Sequence, residues 1–368
     1  MRLYKRFQTW WIEYHIDKRY VRKSTRLRDR AAAEAMLATM KLARAKKSSA
    51  ETIAALLESI YKNAEKPAGT ELSAPVSCAM QRRFSWIDAD ADSQQKIQSI
   101  KDMRSRGIQL IPVLDADMRL HGLLDLKRTR SVLPIRAVLM AGGKGERLRP
   151  LTLTTPKPLL KIDGKAIIDY NVESLARCGV TDITVTTRYL AEQIVDHFSR
   201  PVAGVQVKCV TEDAPLGTIG SVSLIEKKER GATLVMNSDL LTTISFEDMY
   251  LRHVHEQALI TVAVIPYQVS VPFAILTTDG NAVTGIEEKP TYSYFANAGI
   301  YIIDNAVLAT VPGDARTDAT DLVESVINTG GKVVYHPIDG TWLDVGSPAD
   351  FAQASELMRH HRNLSHTD

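Results

Sequence analysis

The chain has 368 residues, 45% hydrophobic and 24% charged, with a formal net charge of +3, proportions of an ordinary folded protein with room for two or three domains. It has no run of about 18 apolar residues to span a bilayer, and its basic N-terminus lacks the unbroken apolar stretch of a secretion signal; a cytoplasmic protein with no membrane partner is expected. Cys78, Cys178 and Cys209 are an odd number, far apart and out of metal-ligand spacing, so they are expected to be buried thiols.

The charge is unevenly spread. Residues 1–47 hold 14 Lys/Arg against 4 Asp/Glu, which leaves the remainder net acidic. Within this segment "TWWIEYHI" and "RYVRKST" predict two strands around Asp17-Lys18, and "AAAEAMLATMKLARAKK" predicts a helix from about Asp29. Residues 1–48 therefore form a basic hairpin-plus-helix unit. The stretch "YKRFQTWWIEYHIDKRYVRKST" resembles the arm-type DNA-binding module of phage-integrase-like tyrosine recombinases, which implies DNA binding by residues 1–47. No recombinase catalytic domain follows, so a solvated basic face or a gene-fusion relic remains the alternative.

Residues 49–133 form the next region. A linker-like "EKPAGTELSAP" separates a short helix from "DSQQKIQSIKDMRSRGIQLIPVLDADMRLHGLLDLKRTR", which predicts a helix, a strand, a polar turn and a second strand. The core "MRSRGIQLIPVLDADMRLHGLLDL" resembles one motif of a cystathionine-β-synthase-type (CBS) pair. Where nucleotide-binding members carry a hydroxyl residue and then an aspartate for the ribose, this chain has Asp125 and Arg128. The departure favours a packing or dimerisation element over a ribose site.

From residue 134 to 368 the pattern is α/β. Strand-like runs "RAVLM", "DITVTT", "VQVKCV", "ATLVM", "ITVAVI", "FAIL" and "GIYII" alternate with helical stretches "AIIDYNVESLARCG", "LAEQIVDHF" and "TIGSVSLIEKKE". A mostly parallel, Rossmann-like sheet with helices on both faces is expected, with chemistry beyond the carboxyl ends of its strands. The loop "AGGKGERLRPLTLTTPKPLL" leaves the first such strand. Gly142, Gly143 and Gly145 let the backbone N–H groups approach phosphate oxygens, and Lys144, Arg147, Arg149 and Lys157 supply positive charge. It is not a Walker A loop, because Gly145 stands where that loop carries a magnesium-binding hydroxyl.

The longer string "MAGGKGERLRPLTLTTPKPLLKIDGKAIIDY" resembles the motif of sugar-1-phosphate nucleotidylyltransferases, and "YLAEQIVDHF", "TEDAPLGTIGSV", "VMNSDLLT", "GIEEKP", "FANAGIYI" and "WLDVGSP" follow in family order. The mannose-1-phosphate guanylyltransferase-like branch, some of whose bacterial members carry CBS motifs in front, is the most similar in character. The resemblance implies that Arg147 and Lys157 are catalytic, contacting the triphosphate and the reacting phosphates, and that Ala141, Gly142, Gly143 and Gly145 cradle the phosphate chain. It implies that Glu212, Leu216, Gly217 and Thr218 lie at the nucleobase, that Glu288, Lys289 and Asn297 hold the sugar, and that Asp239 and Asp344 hold Mg2+. Ser238 departs from the usual family glycine.

The expected partners are a nucleoside triphosphate and a sugar 1-phosphate, with a homo-oligomer left open. The expected reaction makes a nucleoside-diphosphate sugar and pyrophosphate, guanylyl transfer favoured, as a step toward surface polysaccharide or glycoconjugate precursors. The competing reading is a catalytically silent regulatory or nucleic-acid-binding protein that works through the CBS-like and basic N-terminal parts.

Overall fold

The structure, a computed structural model, describes residues 2–6, 9–16, 19–24 and 84–365, with side chains for residues 84–359. The chain divides into two units, Met1–Phe84 and Ser85–Asp368. The first contains strands β1 (Arg2–Arg6), β2 (Thr9–Ile16) and β3 (Arg19–Ser24) in one antiparallel sheet. The aromatic and β-branched residues of "TWWIEYHI" suit the central strand of such a sheet. Strand β1 is additional to the hairpin expected from sequence. The helices expected from Asp29 and after residue 49, and Cys78, lie outside the described residues.

The second unit opens with strand β4 (Ile87–Asp88), helix α1 (Ser93–Ser105) and strands β5 (Leu110–Leu114) and β6 (Leu120–Asp125). Asp92 caps α1 by accepting from the Gln95 N–H at 2.9 Å, as expected of a short acceptor at a helix start. One face of α1 buries Ile97, Ile100 and Met103, the spacing of an amphipathic helix. Ile100 and Met103 pack with Ile87 and Ile111, while Ile97 reaches the core of the large sheet. Lys101 pairs with Asp248 at 2.6 Å and Arg104 with Glu247 at 2.8 Å, so this small α/β segment is fastened to the remainder of the unit.

The large sheet holds β7 (Arg136–Ala141), β10 (Ile183–Thr187), β11 (Lys208–Thr211), β12 (Ala232–Asn237), β14 (Ile260–Ser270), β17 (Thr291–Asp304) and β18 (Val333–Pro337). Their spatial order is β11-β10-β7-β12-β17-β14-β18. Only β17 pairs antiparallel to its neighbours β12 and β14; the other pairings are parallel. Consecutive strands from β7 first run to one side, through β10 to β11, and the chain then crosses to β12. The order reverses between β7 and β12, where an open α/β sheet leaves a crevice for ligands.

Helices α2 (Ile167–Arg177), α3 (Ala191–His197), α4 (Phe246–His255), α5 (Asn305–Leu308), α6 (Ala319–Asn328) and α7 (Pro348–Ser365) complete the unit. Two apolar clusters line the sheet: Leu139, Val185, Leu234 and Ile302 under α2 and α4, and Val138, Val235, Tyr301 and Ile303 under α6. Strand residues alternate between the two faces, which is why both are apolar. Phe246 and Phe198 are the largest of the fully buried side chains among the described residues.

Three sequence expectations are corrected. "TIGSVSLIEKKE" forms only a 3-10 turn, Gly220–Leu224, because its first residues are bonded to Thr317 and Asp318 and Gly217 precedes it while Gly220 lies within it. "FAIL" does not join the large sheet; β15 (Ile275–Asp279) pairs only with β16 (Ala282–Glu287) in a separate ribbon, set off by Pro272. Cys178 is a buried free thiol as expected, but Cys209, on edge strand β11, is only half-buried. Among the described residues no helix is long and apolar enough to cross a membrane.

Candidate active site

At the carboxyl ends of β7 and β12 lies a cleft of about 530 Å3. Its floor is the Gly-rich loop. Gly145 adopts φ +60°, and a Cβ there would sit 3.1 Å from the Lys157 Cβ and 3.0 Å from the Thr152 methyl, so a side chain would push Lys157 away from the loop. The Thr152 hydroxyl donates to the Gly145 carbonyl at 2.8 Å, which fixes the turn. Ala141, Gly142, Gly143, Gly145, Arg147 and Lys157 all line the cleft. Arg149 instead pairs with Glu146 at 3.3 Å on the exposed surface.

Two carboxylates meet at Lys157. Asp239 ends the turn after β12, and Asp344 ends strand β19 (Trp342–Asp344), which pairs antiparallel with β13 (Leu240–Thr242). That register sets Leu240 opposite Asp344, and the Val345 N–H donates to the Asp239 carbonyl at 3.2 Å. Residues distant in sequence thereby become neighbours. The buried Lys157 ammonium donates to Asp239 Oδ2 and, at 3.3 Å, to Asp344 Oδ1.

Burial raises the Asp239 pKa from its ordinary value, and the Asp344 charge adds to the rise while Lys157 opposes it. Asp239 Oδ1 is buried and accepts no hydrogen bond from protein. Ser238, in place of glycine, donates its hydroxyl to the Met140 carbonyl at 2.7 Å, so this departure pins the Asp239 turn to the end of β7.

The opposite wall is the 212–221 loop. A Cβ on Gly217, at φ +86°, would lie 2.4 Å from the Thr317 carbonyl oxygen, which leaves room only for glycine. The Thr317 N–H donates to the Leu216 carbonyl at 2.8 Å, and the Thr317 carbonyl accepts from the N–H groups of Ile219 and Gly220. Asp318, the N-cap of α6, accepts from the Thr218 N–H at 2.9 Å, and the Thr218 hydroxyl accepts from the Ala319 N–H at 2.8 Å. The Thr218 N–H bond is the main reason the Asp318 pKa falls below its usual value. Buried Glu212 accepts from the Leu216 N–H at 3.4 Å, and its other oxygen lies beside Gly142. Glu212, Gly217 and Thr218 line the cleft, with Leu216 buried behind them.

Glu288 and Lys289 are exposed in the turn between β16 and β17 and do not line this cleft. Asn297 lies on β17, donating to the Tyr301 hydroxyl at 2.7 Å, and also stands outside it. Sequence reasoning missed Asn237, Arg188, Arg316, Asp318 and Gly346, all of which line the cleft. Arg188 could have been found by position, since it directly follows strand β10. Gly346 is the point where Arg147 crosses the backbone: a Cβ there would be 2.8 Å from Arg147 Nη2. Arg316 pairs with Asp318 at 3.1 Å, an arrangement without a local sequence signal.

Residues 136–361 match the family model described as Nucleotidyl transferase. The mannose-1-phosphate guanyltransferase of Schizosaccharomyces pombe is 32% identical over 227 residues, covering 59% of this chain and 62% of that protein. The Candida albicans protein of the same name is 31% identical over 234 residues, covering 61% of this chain and 64% of its own length. The chain thus spans less than two thirds of either relative. A crystal structure of HddC from Yersinia pseudotuberculosis complexed with GMP-PN aligns with a TM-score of 0.48 at 23% identity, over 61% of this chain and 99% of that one.

Proposed function

Because the chain belongs to the nucleotidyl transferase family, we propose that it transfers a nucleoside monophosphate from a nucleoside triphosphate to a sugar 1-phosphate, releasing pyrophosphate. The observation that carries this is the Lys157 ammonium shared by Asp239 and Asp344 beneath the Gly-rich loop. In the reaction a sugar-phosphate oxygen bonds to the α-phosphorus while the bond from that phosphorus to the bridging oxygen breaks. Two polyanions must approach and a third must leave, so fixed cations are the main requirement. Gly142, Gly143 and Gly145 present backbone N–H groups to the phosphate chain, and Arg147, laid across Gly346, meets the departing pyrophosphate. Lys157 is held by its two acids at the reacting phosphates.

Mg2+ belongs to this reading, and the residues fit it. Two hard carboxylate donors converge on one point, and Asp239 keeps a buried oxygen without a protein partner, the donor chemistry magnesium takes. Asp239 and Asp344 would hold the ion, which supplies further charge neutralisation at the phosphates when bound. Gly217 and Thr218, clamped by the 316–319 segment, would read the edge of the base, with Leu216 packed behind them. Guanylyl transfer to mannose 1-phosphate is the favoured substrate pair, supported by the names of the two yeast relatives. The sugar contacts assigned to Glu288 and Lys289 require the turn that follows the β15–β16 ribbon to approach the cleft when sugar is bound, whereas Asn297 is fixed on β17 of the large sheet.

The test is a matrix of common nucleoside triphosphates against several sugar 1-phosphates, with pyrophosphate release as the readout in magnesium buffer. Release is expected for one pair above all, GTP with mannose 1-phosphate. A folded chain that releases pyrophosphate with no pair would overturn the proposal.

A further inference from the structure

A second cavity, of about 490 Å3, lies on a different part of the same unit, where α1 and the segment after β6 meet α2 and the first turn of α4. Its size is within the range that encloses small organic ligands, roughly 300–1,000 Å3. Cations dominate it. Arg104 comes from α1, Lys127, Arg128 and Arg130 from the segment after β6, and Arg177 from the last turn of α2. Each of the two acids that line it has a cation partner: Glu173 accepts from Lys165 at 2.8 Å, and Glu247 accepts from Arg104 at 2.8 Å through Oε1, its buried Oε2 having no protein partner.

The side chains of Lys127, Arg130 and Arg177 have no carboxylate partner among the described residues. Arg130 and Arg177, together with Arg104, also converge on the Cys178 thiol, which lines the cavity. Burial pushes its pKa up to about 11 and Glu247 adds to the rise, while Arg130, Arg104 and Arg177 act on it in the opposite direction. Three guanidinium groups therefore lie within electrostatic reach of one buried atom. A charged convex face scatters its cations into solvent at little cost, whereas gathering like charges around a concavity is unfavourable unless an anion answers them. A helix-end position accounts for Arg177 alone; Lys127 and Arg130 lie in irregular chain and have no such reason.

We propose that this cavity is a second binding site, for a small phosphate ester, distinct from the cleft at the Gly-rich loop. The phosphate would sit among Lys127, Arg130 and Arg177. The ester's organic part would occupy the remaining space toward Tyr170. A ligand here would bridge the small α/β segment and the large sheet. It would touch the turn through Ser245 and Phe246, which continues from the strand that follows Asp239. A sugar phosphate and a nucleoside monophosphate share the required chemistry.

The experiment uses the full chain and isothermal titration at fixed ionic strength, with three probes: inorganic phosphate, a sugar 1-phosphate and a nucleoside 5′-monophosphate. Lys127→Ala/Arg130→Ala changes two exposed side chains, so its melting temperature should match the wild type. The expected result is that the wild-type chain binds one equivalent of an ester that the double variant binds about tenfold more weakly or not at all. Arg147→Ala should leave that equivalent in place. Which ester does so identifies the source. If every ester binds the double variant and the wild type alike, or none binds either, the second site does not exist. This outcome is independent of whether the chain releases pyrophosphate.

Discussion

Asp239→Asn keeps the shape of the side chain and removes its charge beside Lys157. The folded state loses one partner of a buried ammonium, and breaking such a pair outright costs about 3–5 kcal/mol. Here the loss is far smaller, because Lys157 retains Asp344 at 3.3 Å. The substitution also relieves two penalties that raise the Asp239 pKa, burial of the charge and repulsion from Asp344. The net change in stability should therefore stay within about 1 kcal/mol, a shift of roughly 2–4 °C in melting temperature for a unit of this size. Turnover should respond quite differently. With one of the two carboxylates of the proposed magnesium site gone, a loss of about a hundredfold in kcat is expected, near 2.7 kcal/mol of transition-state stabilisation. Steady-state pyrophosphate release and a thermal melt on the same preparation measure both. Near-normal turnover, or a melting temperature lowered by ten degrees or so, would refute the reasoning, the first by removing the charge from the chemistry and the second by making it structural.

Gly217→Ala should lose about 2 kcal/mol or more of stability and raise KM for the triphosphate, because a Cβ at φ +86° meets the Thr317 carbonyl at 2.4 Å and left-handed non-glycine backbone is itself strained; urea unfolding and initial rates read the two effects. Gly346→Ala should leave the urea midpoint almost unchanged yet lower kcat, since its Cβ would meet only the far end of the Arg147 side chain, 2.8 Å away, and a normal kcat would show that Arg147 need not lie there. Buried His253, whose pKa is lowered chiefly by burial, favours the neutral ring in the fold, so its contribution is complete above about pH 6.5 and is lost as pH falls from there toward the folded value. His253→Gln should flatten stability against pH below about 6.5, measured by denaturant unfolding, and an unchanged slope would assign the dependence to other groups.

The alternation of apolar strands with amphipathic helices is enough to find the large sheet, because both of its faces are covered and its strands read as continuous apolar runs. Position beyond a strand end is enough to find the Gly-rich loop, whereas Asp239 is singled out only by the family motif "VMNSDLLT" that contains it. The meeting of loops leaves no such trace in sequence. Asp318 and Arg316 reach the cleft only because the 315–318 segment folds back on Gly217, a contact made of backbone groups that any residue carries. The β15–β16 ribbon reads like any other strand pair, yet it lies outside the sheet, since alternation reports a face and not a neighbour. Gly346 illustrates the same gap, for its role is an absence of side chain under an arginine far away in sequence.

The pairing of β13 with β19 has a consequence for synthesis. The Gly-rich loop and Lys157 emerge early in the second unit, so a nascent chain that has reached β12 already carries the elements proposed to hold the phosphates. Asp344 arrives on a short strand whose partner was made long before, so the second carboxylate joins only through a contact of high sequence separation, the kind that forms late and slowly. A chain interrupted before residue 342 would thus retain the Gly-rich loop and Lys157 and lack the second carboxylate beside them. On the proposed reading such a species would bind nucleotide without turning it over, and competence for transfer would wait for residues 342–344.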